Sequence, residues 1–384
     1  MTFNQIYQYA NQATQEALGT SAVLKEDLSN IVDIGNEIFN TKALDKYVNA
    51  LVDHIGKVIF ADRLYKMRAP SVLMDAWEYG QVLEKVRVNM VDAVENDTWE
   101  LTDGQSYDEN IFKKPVVSAK FYDKRTTFEI DISIPSIQAK GAFSSPAQMG
   151  GFISMIFNMV ENSLELKNEK LVMATVCNAI AETYKADIGA GTPADTTGVK
   201  AVNLLKLYNT EMGTTLTADK ALSDPAFIRY ASLQILLYSD KITSYSTLFN
   251  VGKTEKHTPK DRQKIILLSE FSQRANVYLQ SDVWHNELTR LPNHDDVMYW
   301  QGTGTDFSLA NTGKIMVKTA SGSDVTISRC LGVIFDRDAL GVSNFDKRVT
   351  SKWNAKGEFT NYFYKVDAGY FVDTNENLVC FFIA

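Results

Sequence analysis

The stretch SPAQMGGFISMIFNMVENSLELKNEKLVMATVCNAIAE, residues 145–182, decides the fold. Ser145 stands at an N-cap position, Pro146 at N1, where a missing N–H costs nothing, and Gln148 at N3, placed to reach back to the cap. From Ala147 to Glu182 no proline interrupts the chain. Phe152, Ile156, Met159, Ser163 and Leu166 follow one helical face, which Ile153, Val160, Leu164 and Leu171 broaden. At 1.5 Å per residue an unbroken helix of this length reaches roughly 50 Å, longer than a small domain is wide. The alternative is a pair of ordinary core helices broken near Asn168.

On the N-terminal side the period changes. Residues Gln81 to Met90 alternate, with Val82, Val86, Val88 and Met90 on one face and Lys85, Arg87 and Asn89 on the other, which predicts a strand. Val116 to Ile134 supplies a partner, because Phe128, Ile130, Ile132 and Ile134 alternate with Glu129, Asp131 and Ser133. Together they predict a long antiparallel hairpin. Its tip is acidic: Asp92, Glu95, Asp97, Glu100, Asp103, Asp108 and Glu109 occur with no Lys or Arg before Lys113. Lys113, Lys114, Lys120, Lys124 and Arg125 follow on the returning arm. Two strands alone are marginal in water, so the hairpin is expected to lie on a neighbouring subunit; an ordinary solvated loop is the simpler alternative. Before it, Ile31, Ile34, Ile38 and then Tyr47, Leu51, Ile55 recur at helical spacing and predict a helical N-terminal arm.

On the C-terminal side, Gly189, Gly191, Pro193 and Gly198 mark a turn-rich boundary. Beyond it, a helical stretch at Ala226–Ser239 mixes with strand-like runs at Lys264–Leu268, Lys314–Thr319 and Asp324–Ser328, an α+β pattern rather than a βαβ array. Three more strands are expected at Val349–Trp353, Phe359–Val366 and Leu378–Ile383.

The 384 residues correspond to roughly two to three domains. With 45% hydrophobic and 22% charged residues, disorder is excluded, and the longest apolar stretch, Met149 to Val160, is too short for a bilayer. A net charge of -8 disfavours a sequence-specific reader of nucleic acid. Cys177, Cys330 and Cys380 are scattered and odd in number, so buried reduced thiols and a cytoplasmic residence are expected, with no leader at Met1–Gln5.

No chemistry assembles in the sequence. Gly252-Lys253-Thr254 mimics the end of a phosphate-binding loop, but Thr247 stands where its first glycine belongs. Gly302 and Gly304 begin a dinucleotide fingerprint that fails at Phe307, and His54, His257, His285 and His294 lack any zinc spacing. Asp295, Asp296, Asp336 and Asp338, and the run Asp373, Asn375, Asn377, lack the glycine and further oxygens of a calcium loop. No catalytic, cofactor or metal residue is assigned.

The order of features resembles the major capsid proteins of tailed bacteriophages, with the Hong Kong 97-type fold. The resemblance rests on Glu78-Tyr79-Gly80-Gln81-Val82-Leu83, on Ile134-Pro135 with Phe143-Ser144-Ser145, on Asp336-Arg337-Asp338-Ala339-Leu340-Gly341-Val342, and on the closing stretch Trp353 to Asn361. It implies an α+β fold with a helical N-terminal arm at 1–77, an extended loop at 78–135 and a peripheral domain with a spine helix at 136–185. An axial domain at 186–342 and C-terminal strands of the peripheral domain at 343–384 complete it.

The function the resemblance implies is a non-enzymatic shell subunit, assembling as pentamers and hexamers into an icosahedral virion capsid. It would enclose double-stranded DNA without sequence-specific binding, bind no membrane or cofactor, assemble in the host bacterial cytoplasm and use a separate scaffolding protein and a portal. The acidic tip is expected to pair with basic residues of a neighbouring copy. An encapsulin-type nanocompartment and, from another class, a cytosolic enzyme with a cryptic site are the alternatives.

Overall fold

A single helix of 43 residues, Pro146–Ile188, runs through the molecule, so the two-helix alternative is excluded. The computed structural model describes residues 3–41, 43–44, 46–48, 50–51, 69–74, 83–88, 93, 99–107, 109–110, 112, 114, 117–189, 196–280, 291–301, 313–318, 322 and 324–384. Helices α1 (Phe3–Leu18) and α2 (Ile31–Asn40) come first, then strands β1 (Leu83–Val88), β2 (Val117–Tyr122) and β3 (Arg125–Pro135), the short helix α3 (Ser136–Ala142) and the long helix, α4. Next are β4 (Ala201–Asn203), α5 (Leu204–Met212), α6 (Ala218–Ala221), α7 (Pro225–Lys241), β5 (Gln263–Leu268) and α8 (Ser269–Gln280). The chain closes with β6 (Asp295–Val297), β7 (Ile315–Lys318), β8 (Asp324–Ile327), β9 (Cys330–Asp336), β10 (Leu340–Asn354), β11 (Phe359–Val372) and β12 (Leu378–Phe382).

The start of α4 is built as its sequence predicts, with one change. Ser145 Oγ accepts from the Gln148 N–H at 3.3 Å, but the Gln148 side chain meets the Ser144 hydroxyl rather than the cap amide. At the other end Gly189 takes φ +63°, open to glycine without strain, and its N–H reaches Lys185 O at 3.0 Å. The buried face is Met149, Phe152, Ile153, Ile156, Val160 and Leu164, whereas Met159 is exposed and Ser163 and Leu166 are half-buried. The broadening residues of the sequence pattern therefore define the core stripe, and the expected face through Met159 is rotated outward.

The two halves of α4 serve different cores. The first half packs with α1, α2, buried Tyr47 and Leu51, and a three-stranded sheet ordered β10-β11-β3, through Ile130, Ile132, Ile134, Tyr362, Tyr364 and Val366. The second half, through Val172, Val176, Cys177, Ile180 and Tyr184, covers one face of a five-stranded sheet ordered β4-β12-β9-β5-β6. Helices α5, α7 and α8 cover the other face. Alternation in these strands is between two cores rather than between core and water: Cys380 and Phe382 face α4, while Val379, Phe381 and Ile383 face α5 and α7. This explains the unbroken apolar run at the C-terminus.

Gly332 sits in central β9, where an added Cβ would stand 2.4 Å from Leu267 Cδ2 and 2.9 Å from the Ile266 carbonyl oxygen. Gly332→Ala is expected to destabilise the subunit by about 1–3 kcal/mol, read as a lowered denaturant midpoint with an unchanged slope.

Two expected pairings differ in the structure. The Val116–Ile134 segment is two strands, not one: β2 pairs antiparallel with β1, but after Asp123 and Lys124 the chain enters β3, which pairs with β11 from Phe359↔Pro135 to Gly369↔Arg125. Residues 343–384 also divide. β10 and β11 join the sheet of the first core, whereas β12 lies between β9 and β4 in the five-stranded sheet. Of the expected boundary and motif residues, Gly191, Pro193, Gly302, Gly304, Phe307, His54 and His285 lie outside the described residues, as does Ile55.

Candidate functional site

In an antiparallel ribbon, directly opposed residues share a face. The register Glu84↔Phe121, Val86↔Ala119, Val88↔Val117 puts one set on the same side, and Leu83↔Tyr122, Lys85↔Lys120, Arg87↔Ser118 puts the other set opposite. The hairpin therefore has an apolar face and a cationic one.

The cationic face is seated on the body. Asp373, only 5% exposed, lies 3.3 Å from Lys85 Nζ and 3.1 Å from Lys120 Nζ, so one carboxylate holds both strands at the hairpin base. Lys85 also donates to the Asp338 carbonyl oxygen and stands 4.8 Å from the Phe371 ring centroid, and the Tyr122 ring lies 5.2 Å from Phe371. Burial alone would raise the Asp373 pKa, but the Asn375 N–H at 3.1 Å and the two ammonium groups outweigh it and hold the carboxyl below the usual carboxylate range.

Among the described residues the apolar face covers nothing in its own chain. Phe121 is 64% exposed, and Val86, Val88 and Val117 are each more than half exposed. Towards the tip Trp99 is 97% exposed, and Leu101 and Phe112 are exposed as well. Large apolar side chains clustered in this way mark an interaction surface.

The residues singled out in the sequence fall unevenly on this geometry. Glu100, Asp103, Lys114, Lys124 and Arg125 are exposed, and Lys120 is engaged by Asp373 within the chain. Asp92, Glu95, Asp97 and Lys113 lie outside the described residues. The sequence put Lys85 on the polar side of the alternation and Asp373 in a turn, gave Phe371 no role, and held no hint that the three meet.

The rejected motifs have structural explanations. Gly252 N–H donates to Thr374 O at 2.8 Å, across to a distant segment, and Thr254 N–H to Asn250 Oδ1 at 2.7 Å within the loop, so neither of these two amides is open to a phosphate. Asp336 accepts from Thr258 Oγ1 at 2.8 Å and, with Asp338, pairs with Arg262, which supplies the positive charge there. The cleft of about 830 Å³ between hairpin and body is charge-matched in the same way, with Lys256 paired to Glu376 at 2.9 Å. Cys177, Cys330 and Cys380 are free and buried; burial pushes the Cys177 and Cys380 thiols up to about 12, away from reactive thiolate. Among the described residues no helix is long and apolar enough to cross a membrane.

Comparison with known proteins follows the same direction. A model of the Phi29-like phage major capsid protein family matches residues 6–382. Among solved structures, that of the head fiber and inner core protein gp22 of native bacteriophage P68 is similar with a TM-score of 0.51 and 8% identity, covering 83% of this chain and 85% of that one. The capsid structure of Staphylococcus phage Andhra gives a TM-score of 0.48 at 10% identity, covering 82% and 83%. That of the cyanophage P-SCSP1u gives 0.44 at 10% identity, covering 82% and 86%. No curated protein matches the chain.

Proposed function

The chain belongs to the Phi29-like phage major capsid protein family and is a major capsid protein of a tailed phage, and from that premise we propose that its hairpin is the element that joins copies into the shell. The matched family is one of phage capsids, which favours this over the cargo-compartment alternative. In this reading the apolar face of β1 and β2 lies on a neighbouring copy, and copies tile as pentamers and hexamers into a closed container for double-stranded DNA. A subunit charge of -8 supports a wall that does not grip the packaged genome. Assembly takes place in the bacterial cytoplasm with a separate scaffolding protein and a portal, and the subunit performs no catalysis.

The observation that carries the proposal is the bare face of Phe121, Val86, Val88 and Val117 on a ribbon of only two strands. Such a ribbon is marginal alone, and burying each large side chain on a neighbour contributes about 1.5–3 kcal/mol. The double change Val86→Asp with Phe121→Asp is expected to yield soluble subunits with an unchanged melting temperature and no shells by negative-stain microscopy. Shells of normal number and size from this variant would remove the support.

A further inference from the structure

The chain contains a single Asp-Gly step, Asp103-Gly104, and no Asn-Gly step. It stands at the hairpin tip, where every residue from Leu101 to Tyr107 is exposed. Thr102 O accepts from the Gln105 N–H at 3.3 Å and Gly104 takes φ +84°, which makes Thr102–Gln105 a type II turn with glycine in its third place. Glycine is there because only it adopts that φ without strain. The same lack of a Cβ has a chemical consequence.

No heavy atom lies within 4 Å of where a Gly104 Cβ would stand, and the Gly104 N–H makes no hydrogen bond among the described residues. The Asp103 carboxyl likewise has no ion pair or hydrogen bond among them. Nothing therefore shields the nitrogen from the carboxyl beside it, and nothing holds either group away from the geometry of attack. In the acid form of the carboxyl, the Gly104 nitrogen bonds to the Asp103 side-chain carbon as one carbon–oxygen bond breaks. The hydroxyl leaves as water, carrying the proton released by the nitrogen, and a succinimide ring remains. Water then reopens the ring. Breaking the bond from nitrogen to the side-chain carbonyl restores aspartate; breaking the bond to the main-chain carbonyl leaves isoaspartate, with the backbone routed through the side-chain methylene. Nothing is oxidised or reduced, and the water lost in the first step is regained in the second.

We propose that Asp103-Gly104 is a self-modifying site, which cyclises to isoaspartate in free subunits and so withdraws aged ones from assembly. An added backbone methylene cannot keep the turn bond between Thr102 and Gln105, nor the 3.2 Å bond from the Thr102 N–H to the Tyr107 hydroxyl, since both close over this step. Trp99 and Leu101, exposed just before the turn, then lose their fixed presentation. For this consequence, though not for the chemistry, the proposal rests on the reading that the hairpin lies on a neighbour. A tip held there cannot rotate Asp103 into attack, so assembly protects the site.

Free full-length subunits and wild-type shells, incubated in parallel at neutral pH in water enriched in heavy oxygen, test this by mass spectrometry with electron-transfer fragmentation. Each passage through the ring leaves a heavy oxygen at residue 103, and the fragments distinguish isoaspartate from aspartate. In free subunits residue 103 is expected to take up label ahead of every other Asp or Asn, and in shells that label is expected to be lost. Shell yield from aged subunits should fall as isoaspartate at 103 rises. Asp103→Glu keeps the charge but must close a larger, slower ring, so this variant is expected to stay unlabelled at 103 and to keep its shell yield on ageing. An unlabelled residue 103 in free wild-type subunits overturns the site. Isoaspartate at 103 with undiminished shell yield overturns the withdrawal from assembly. Equal labelling in subunits and shells leaves the chemistry standing and sinks the hairpin reading, because the tip would then be free in the shell.

Discussion

Asp373→Asn is expected to leave a folded subunit whose hairpin base opens. The amide keeps the shape and can still accept from the Asn375 N–H, but it no longer balances Lys85 and Lys120. Removing one partner from a buried ion pair costs about 3–5 kcal/mol. The lysine side chains here are 22% and 42% exposed, so water takes up part of their charge and about 2–3 kcal/mol is the better figure. That corresponds to hydrogen exchange roughly 30- to 140-fold faster in β1 and β2, with no change in β9 and β12. The sign of the pH dependence follows from the lowered Asp373 pKa. A carboxylate whose folded pKa lies below its unfolded value stabilises fully above the unfolded value and loses that contribution as pH falls through the folded one. With an ordinary value of 3.8 as the upper limit, the wild-type hairpin stays seated from neutral pH through mild acid and loosens only below it. The Asn variant lacks this acid step. Identical exchange in the two proteins at neutral pH would show that Asp373 does not hold the hairpin.

Where local chemistry dictated structure, the sequence was enough. Ser145, Pro146 and the absence of any later proline specify where α4 starts and that it continues, and the apolar run at Leu378–Ile383 specifies a strand buried on both faces. Alternation, however, says that a segment is a strand and not which strand it meets. The residues of β3 alternate as well as those of β2, so proximity in sequence suggested one hairpin arm. The pairing of β3 with β11 depends on contacts across more than two hundred positions, such as Thr127 with Asp367, |i−j| = 240. The clamp was hidden for the same reason: Asp373 reads as the first residue of an Asp-x-Asn turn, and its lysines lie 288 and 253 positions away. The acidic tip was plain from composition. That Lys352 and Lys356 form one exposed surface was not, because they come together only where β10 is left at the edge of a sheet.

Lys167→Pro tests whether α4 acts as a strut between two cores. Lys167 is exposed and lies between Leu164, the last helix residue in the first core, and Val172, the first in the second. A proline there touches little packing, so its effect is on the backbone: it removes the N–H to the Ser163 carbonyl and its ring collides with that carbonyl, at about 3 kcal/mol or more. Lys167→Ala, which keeps the backbone bond, is expected to stay within about 0.5 kcal/mol of wild type. β10 also passes from one core to the other, with Val342 in the second and Val349 against the first, but its register with β11 shifts between Asn344 and Asp346. A bulge bends a strand and disrupts its ladder locally, so the ribbon is jointed where the helix is not. The helix is thus the stiff member, and breaking it should uncouple the two cores more than its free-energy cost alone implies. In scanning calorimetry the proline variant is expected to replace one cooperative transition by two, and in electron microscopy to give misshapen shells or none. One transition at the wild-type temperature would mean that the two cores are held together by the sheets, and that the length of α4 has no mechanical role.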